Sequence, residues 1–158
     1  ALAARRSATL TIVGPCGNDP DYGDAVLDAI AEAESGRIVW QPSMASIAPL
    51  YRQAQVVLVG SRNEALGMVG LEALAHGLLL VAHRSTGYEA IIDPSRHEGL
   101  LFDDEEDADA VASRVLAALD QFPRYAHAAR RKAAASFDAA HTARRLTGLW
   151  QELRGAGD

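Results

Sequence analysis

Short apolar runs alternating with helical patterns limit what this chain can fold into. "ATLTIVG" (8–14), "RIVWQ" (37–41), "QVVLVG" (55–60) and "LLLVAH" (78–83) read as buried strands, with a weaker fifth, "GLLF", at 99–102. Their apolar character is nearly continuous, as strands covered on both faces of a parallel sheet require. Between them the pattern predicts helices at about 23–35, 46–53 and 66–76. This rhythm predicts an α/β fold, a Rossmann-like doubly wound parallel sheet. After Phe102, "DDEEDADAVASRVLAALDQF" reads as a helix with an acidic start, and two more follow with Pro123 and Asp138 as starts. One domain is expected over 1–158. The opening "ALAARRSA" looks like the tail of a helix whose beginning is missing.

Composition excludes several function classes. A formal net charge of -6 and a pI near 5.3 argue against a protein that neutralises nucleic-acid phosphates over a broad face. The single cysteine, Cys16, cannot form an internal disulfide, and no base near it in sequence argues for a nucleophile. "GLLLVA", the longest apolar run, is too short to span a bilayer, and no signal peptide opens the chain. A cytoplasmic location is expected, with peripheral membrane contact as a variant. The five histidines lack metal-ligand spacing; His83, at a strand end facing the presumed cleft, is the one to watch. His76 is expected to cap or pack its helix. The acidic run 103–109 lacks the glycine and spacing of a calcium loop and reads as a solvated helix start. No metal is expected.

The segment "SRNEALGMVGLEALAHG" (61–77) carries two glutamates, Glu64 and Glu72, with seven residues between them. Spacing alone fits surface electrostatics on a helix. Position adds more, because ligands of open α/β sheets bind beyond the carboxyl ends of the strands. "GPCGNDPDYG" follows the first strand, and Gly14 and Gly17 would let the backbone approach a ligand closely. "SRNEALG" follows the third strand. With a helix starting near Leu66, the amides of Leu66, Gly67, Met68 and Val69 would be unpaired donors for a phosphate. Glu64 would then accept hydrogen bonds from sugar hydroxyls. Glu72 lies eight positions on, roughly 12 Å along a helix axis, a span suited to the sugar and ribose of one nucleoside diphosphate sugar.

These residues resemble the donor-binding C-terminal domain of family 4 (group 1) retaining glycosyltransferases of GT-B fold. The family's signature places two Glu with seven residues between them in a pattern like Pro-Ser-x-x-Glu-Gly-Phe-Gly. "LTIVGPCGNDPDY", "LYRQAQVVLVGSRNEALGMVGLEALAHG" and "GYEAIIDPSRHEGLLF" fall in the family's order and spacing, over about 10–119. The resemblance implies a catalytic role for Glu64 at the donor sugar and a ribose contact for Glu72. It implies diphosphate contacts near Gly67, Met68 and Val69, and places Gly14, Pro15, Arg62, Asn63, Ala65, Leu66 and Gly87 about the donor. It further implies transfer with retention from a UDP-, GDP- or ADP-sugar, with no cofactor and no bound metal. The last helix, about 138–153, would pack toward an N-terminal domain that binds the acceptor, whether sugar, lipid or small molecule.

The departures also matter. Ala65 and Leu66 replace the usual Gly-Phe, and "LLLVAHRSTGYE" lacks the usual proline. The Arg and Lys that clamp the diphosphate normally lie upstream of the first strand here, so Arg62 or Arg84 would have to substitute. The chain alone is expected not to turn over substrate. The rival reading is a non-catalytic nucleotide-binding or regulatory module of the same fold. A flavodoxin-like phosphoacceptor domain fails, because the third strand ends in Gly60 with no aspartate in the run.

Overall fold

The structure, a computed structural model, describes residues 8–15, 20–33 and 37–155. All five expected strands form: β1 (Leu10–Val13), β2 (Ile38–Gln41), β3 (Val56–Val59), β4 (Leu79–His83) and β5 (Leu100–Phe102). Every pairing is parallel, in two groups, β1-β2 and β3-β4-β5. In the larger group Val56 is in register with Leu79 and Val81 with Leu100. The helices are α1 (Pro20–Glu32), α2 (Ala48–Gln53), α3 (Met68–His76), α4 (Thr86–Ile91), α5 (Ala108–Asp120), α6 (Phe122–Ser136) and α7 (Ala139–Gly155). A 3₁₀ turn at Pro94–Arg96 precedes β5. This is the expected α/β class.

β4 explains the layering. Successive side chains on a strand point to opposite faces, and here both faces are covered. Leu80 and Ala82 join Tyr51, Leu74, Tyr88, Ile91 and Ala129 in one core cluster. Leu79 and Val81 join Leu100, Val115, Ala118 and Tyr125 in the other. Helices α3 and α4 therefore cover one face and α5 the other, while α6 reaches both through Ala129 and Tyr125.

The expectation that every strand is buried holds for β4 and β5 and fails for β1, β2 and β3. Leu58 on β3 is 55% exposed, and Leu10 and Val39 are exposed on β1 and β2. An apolar groove of about 320 Å³ opens beside Leu58, lined by Val56, Val81, Val111 and Val115. Apolar composition records that a strand can be covered, but among the described strands both layers here reach over β4 and β5, and the others keep an open side. The last helix behaves similarly. Leu146, Leu149, Trp150 and Leu153 are exposed on α7, at spacings that set them on one stripe, and none of its described residues is buried.

Helix boundaries moved for local reasons. Helix α1 starts at Pro20 rather than Gly23, because proline at a first helical position gives up only an amide that would be unpaired anyway. Ser46 stays outside α2 and accepts from the Ala48 N–H at 3.3 Å. The acidic run 103–107 does not begin α5 as expected. Asp107 is its N-cap, accepting from the amides of Asp109 and Ala110, and the carboxylates before it serve other partners. Asp138 does start α7, accepting from the Ala140 N–H at 2.7 Å. The Cys16 and Gly17 readings, and that of the opening "ALAARRS", lie outside the described residues.

One glycine fixes how the first turn of α4 meets the loop after β3. The Gly87 N–H donates to the Glu64 carbonyl at 3.0 Å. A Cβ at Gly87 would fall on that carbonyl oxygen and within 2.9 Å of the Ala65 carbonyl carbon. Both obstacles are backbone, so relief requires moving a loop. Gly87→Ala is expected to destabilise the fold by about 3 kcal/mol. Gly148→Ala on α7, where a Cβ meets nothing within 4 Å, is expected to stabilise it by up to about 1 kcal/mol. Urea denaturation of both variants checks the pair.

Candidate functional site

The site lies at the carboxyl ends of β3 and β4, on loops that backbone geometry holds together. After Val59 the chain turns through "GSRNEALG", and α3 begins at Met68, two residues later than the expected Leu66. Gly67 is the N-cap in the left-handed conformation, φ 71°, which glycine adopts at no steric cost. The Glu64 Oε1 accepts from the Gly67 N–H at 3.0 Å. That corrects the expected donor set: the Gly67 amide is taken by Glu64, and Leu66 lies outside the helix. The unpaired first-turn amides belong to Met68, Val69 and Gly70, and no side chain caps them.

Tyr88 forms the wall behind this helix start. It is fully buried, and a Cβ at Gly67 or Gly70 would come within 2.6 or 2.7 Å of its ring. Burial, then the charge of Glu64, raises the Tyr88 phenol above its ordinary pKa. Sequence reasoning missed this residue. Its signal was two glycines three apart at a helix start, room for a large ring brought in from elsewhere.

Glu72 sits one turn into α3 and is exposed. Its Oε2 accepts from the Tyr51 hydroxyl at 2.9 Å. Tyr51 is buried on α2, and burial, then the hydrogen bond to Glu72, pushes its pKa well above the ordinary tyrosine value. His76 does pack on its helix, with Nδ1 2.9 Å from the Glu72 carbonyl and its ring 5.0 Å from that of Tyr51. Tyr51 too went unnoticed in the sequence, although a buried tyrosine needs a partner for its hydroxyl.

Arg62 and Asn63, on the Glu64 loop, face a neighbouring cavity of about 490 Å³, also lined by Tyr22, Gly60, His83, Phe102 and Asp104. The Arg62 Nε donates to Asp104 at 2.9 Å. His83 Nε2 lies 3.2 Å from the same carboxylate, yet both its ring nitrogens are buried without a hydrogen bond among the described residues. Arg84 is held by Asp103 at 2.9 Å and by Glu89 at 3.1 Å. Arg62 and Arg84, either of which was expected to substitute for a phosphate clamp, are thus both engaged by carboxylates.

Gly14 and Pro15 follow β1. Gly14 has φ 139°, its N–H donates to the Gln41 carbonyl at 3.0 Å, and its own carbonyl accepts from the Trp40 indole at 2.9 Å. Both bonds of Gly14 thus run to β2. Ala65, Leu66, Met68 and Val69 are exposed along the Glu64 loop and the start of α3. Among the described residues no group of three or more His, Cys, Asp or Glu is placed to hold a metal ion, and no helix is long and apolar enough to cross a membrane.

Parallel strands with helices packed on both faces of β4 define a Rossmann-like fold. The chain belongs to the group 1 glycosyl transferases, whose family model matches residues 1–121. Curated relatives include the D-inositol 3-phosphate glycosyltransferases of Saccharomonospora viridis, 34% identical over 114 residues, and Corynebacterium jeikeium, 36% identical over 115. Each alignment covers 68% of this chain and 26% of the relative, so the chain spans about a quarter of their length. Anabaena HepE, solved with UDP, superposes with a TM-score of 0.80 at 19% identity, covering 92% of this chain and 41% of that one. Sucrose-phosphate synthase of Thermosynechococcus elongatus superposes at 0.75 with 25% identity, over 94% of this chain and 39% of the other. The fold is that of a GT-B glycosyltransferase domain.

Alkaline titration tests the site's packing. A tyrosine whose folded pKa is raised contributes stability that is full below its unfolded pKa near 10, and loses it as pH rises through the folded value. Tyr51 and Tyr88 should therefore ionise late when absorbance at 295 nm is followed. Tyr51→Phe and Tyr88→Phe should each remove one late-titrating amplitude.

Proposed function

We propose that this chain is the nucleotide-sugar-binding part of a retaining glycosyltransferase that moves a hexosyl group from a UDP-, GDP- or ADP-sugar to an acceptor. The observation that carries the reading is the uncapped start of α3 with an anchored carboxylate on either side of it. Anabaena HepE is solved in complex with UDP and with UDP-glucose, which supports a nucleotide-sugar donor.

On this reading the diphosphate lies against the amides of Met68, Val69 and Gly70, where the positive end of the helix dipole favours an anion. Glu64, fixed through one oxygen to Gly67, offers the other to the donor sugar's hydroxyls. Glu72, two turns beyond Glu64 in sequence, takes the ribose hydroxyls. Gly14, Pro15, Arg62, Asn63, Ala65, Leu66 and Gly87 border the donor. In the transfer, the bond from the anomeric carbon to the diphosphate breaks and one to the acceptor oxygen forms on the same face. The diphosphate leaves with the bonding pair, and its departing oxygen takes the proton that the acceptor hydroxyl gives up. Amides and basic side chains carry the leaving charge, so the reading needs no metal.

The acceptor site, the arginine and lysine clamp and turnover itself belong on this reading to the rest of the parent protein, in the cytoplasm. The exposed stripe of α7 is the face that meets it. A second reading, a module that binds nucleotide without transfer, is favoured by the engagement of Arg62 with Asp104 and of Arg84 with Asp103 and Glu89.

Amide NMR titration with UDP, GDP and ADP tests the binding step. Shifts at Met68, Val69 and Gly70 with one nucleotide, lost in Glu72→Ala, are expected. No shift with any of the three at millimolar concentration would remove the donor site. In the whole parent protein, Glu64→Gln keeps an acceptor for the Gly67 amide and should lower kcat by roughly a hundredfold. Unchanged kcat would favour the module.

A further inference from the structure

We propose that Tyr51 is a positioning residue for the donor site: its hydroxyl fixes the Glu72 carboxylate in the orientation that receives a ribose diol. The inference rests on the donor-site reading of Glu72 and adds to it a residue from a different helix.

A glutamate on an exposed helix surface samples several rotamers, and a diol contact made from a mobile carboxylate must first order that side chain. Glu72 departs from this at one oxygen. Oε2 accepts from the Tyr51 hydroxyl at 2.9 Å, while among the described residues no recorded hydrogen bond occupies Oε1. The donor is itself rigid. Tyr51 is 5% exposed and packs in the core cluster with Ala73, Leu74 and Tyr88, so its ring cannot follow the carboxylate outward.

The third partner lies one turn on. The His76 ring is tilted 35° against Tyr51 at 5.0 Å, and its Nδ1 bonds the Glu72 carbonyl. Residues i and i+4 share a helix face, so Glu72 and His76 meet the Tyr51 ring from successive turns of α3. Burial and the adjoining carboxylate both favour the protonated phenol, so it stays a donor throughout the neutral range. One oxygen of Glu72 is thus held at a fixed point, and the other is left for two vicinal hydroxyls.

A structural role for Tyr51 would weaken every ligand alike, whereas positioning acts only through the diol. The test compares binding of UDP, GDP and ADP with that of their 2′,3′-dideoxy forms, measured calorimetrically for the chain itself and for Tyr51→Phe, Glu72→Gln and the double variant. Tyr51→Phe removes one oxygen atom from the site, and its amide spectrum verifies the fold. The unaltered chain is expected to prefer the ribose form by roughly tenfold. Tyr51→Phe should reduce that preference to about the level of Glu72→Gln, with dideoxy affinity unchanged and no further loss in the double variant.

An unchanged ribose preference in Tyr51→Phe overturns the inference, and so does an equal loss of both nucleotide forms. Indifference of the unaltered chain to the ribose hydroxyls, or absence of binding, overturns the reading of Glu72 itself and the inference with it. A preference that Glu72→Gln abolishes and Tyr51→Phe preserves leaves the donor site intact and removes Tyr51 alone.

Discussion

The site depends on one backbone contact. Gly87 donates its N–H to the carbonyl of Glu64, which brings the first turn of α4 against the loop after β3 with no side chain between them. That approach seats the next residue, Tyr88, beneath Gly67 and Gly70, and the ring sets how close the start of α3 can come to the core. A larger residue at any of the three glycines would meet backbone or an immobile ring. The orientation of the first-turn amides therefore follows from packing, with the sheet as its foundation. Sites built on rigid elements hold their geometry better than sites on free loops, and here the loop after β3 gains that rigidity from α4.

Charge is arranged around the same strand ends with a consistent sign. The turn after β5 supplies Asp103, Asp104 and Glu106, which engage Arg84, Arg62 and Arg114. These pairs are largely exposed and contribute little to stability one at a time. Their larger effect is to hold cations near the strand ends while cancelling their charge. On the proposed reading, an arriving diphosphate competes with Asp104 for Arg62. The arginine side chain is 71% exposed, so exchanging one carboxylate partner for a phosphate requires no change in the core.

Much of the fold was legible in the sequence because its signals are local. Strand positions follow from apolar runs with turn residues at their ends, and Pro123 and Asp138 mark helix starts through the backbone chemistry of first turns. Failures occurred where the deciding partner lies far along the chain. Residues 103–106 have the composition of a helix start, yet Arg62, Arg84 and Arg114 draw their carboxylates into a turn. Leu58 has the composition of a buried residue and stays exposed, since coverage depends on which helix reaches that face. Glu64 and Glu72 stood out because their spacing lies within one segment. Tyr51, twenty-one positions before Glu72, did not, because nothing in a helix pattern states which way a hydroxyl points.

The two carboxylates share a physical device that the sequence motif does not express. Each is tied through one oxygen to a group that cannot move: Glu64 to the amide of the N-cap glycine, Glu72 to a phenol fixed in the core. A carboxylate accepting one such hydrogen bond loses most of its rotational freedom and keeps the acceptor capacity of its second oxygen. Recognition of a polyhydroxylated molecule then requires little further ordering of the protein. Motif spacing sets the separation of the two carboxylates along the chain, while their aim comes from Gly67 and Tyr51, neither of which carries a charge. On the proposed reading, a chain that kept both glutamates and lost either anchor would retain the signature and lose the preorganisation, so the anchors would bear on donor binding as directly as the glutamates.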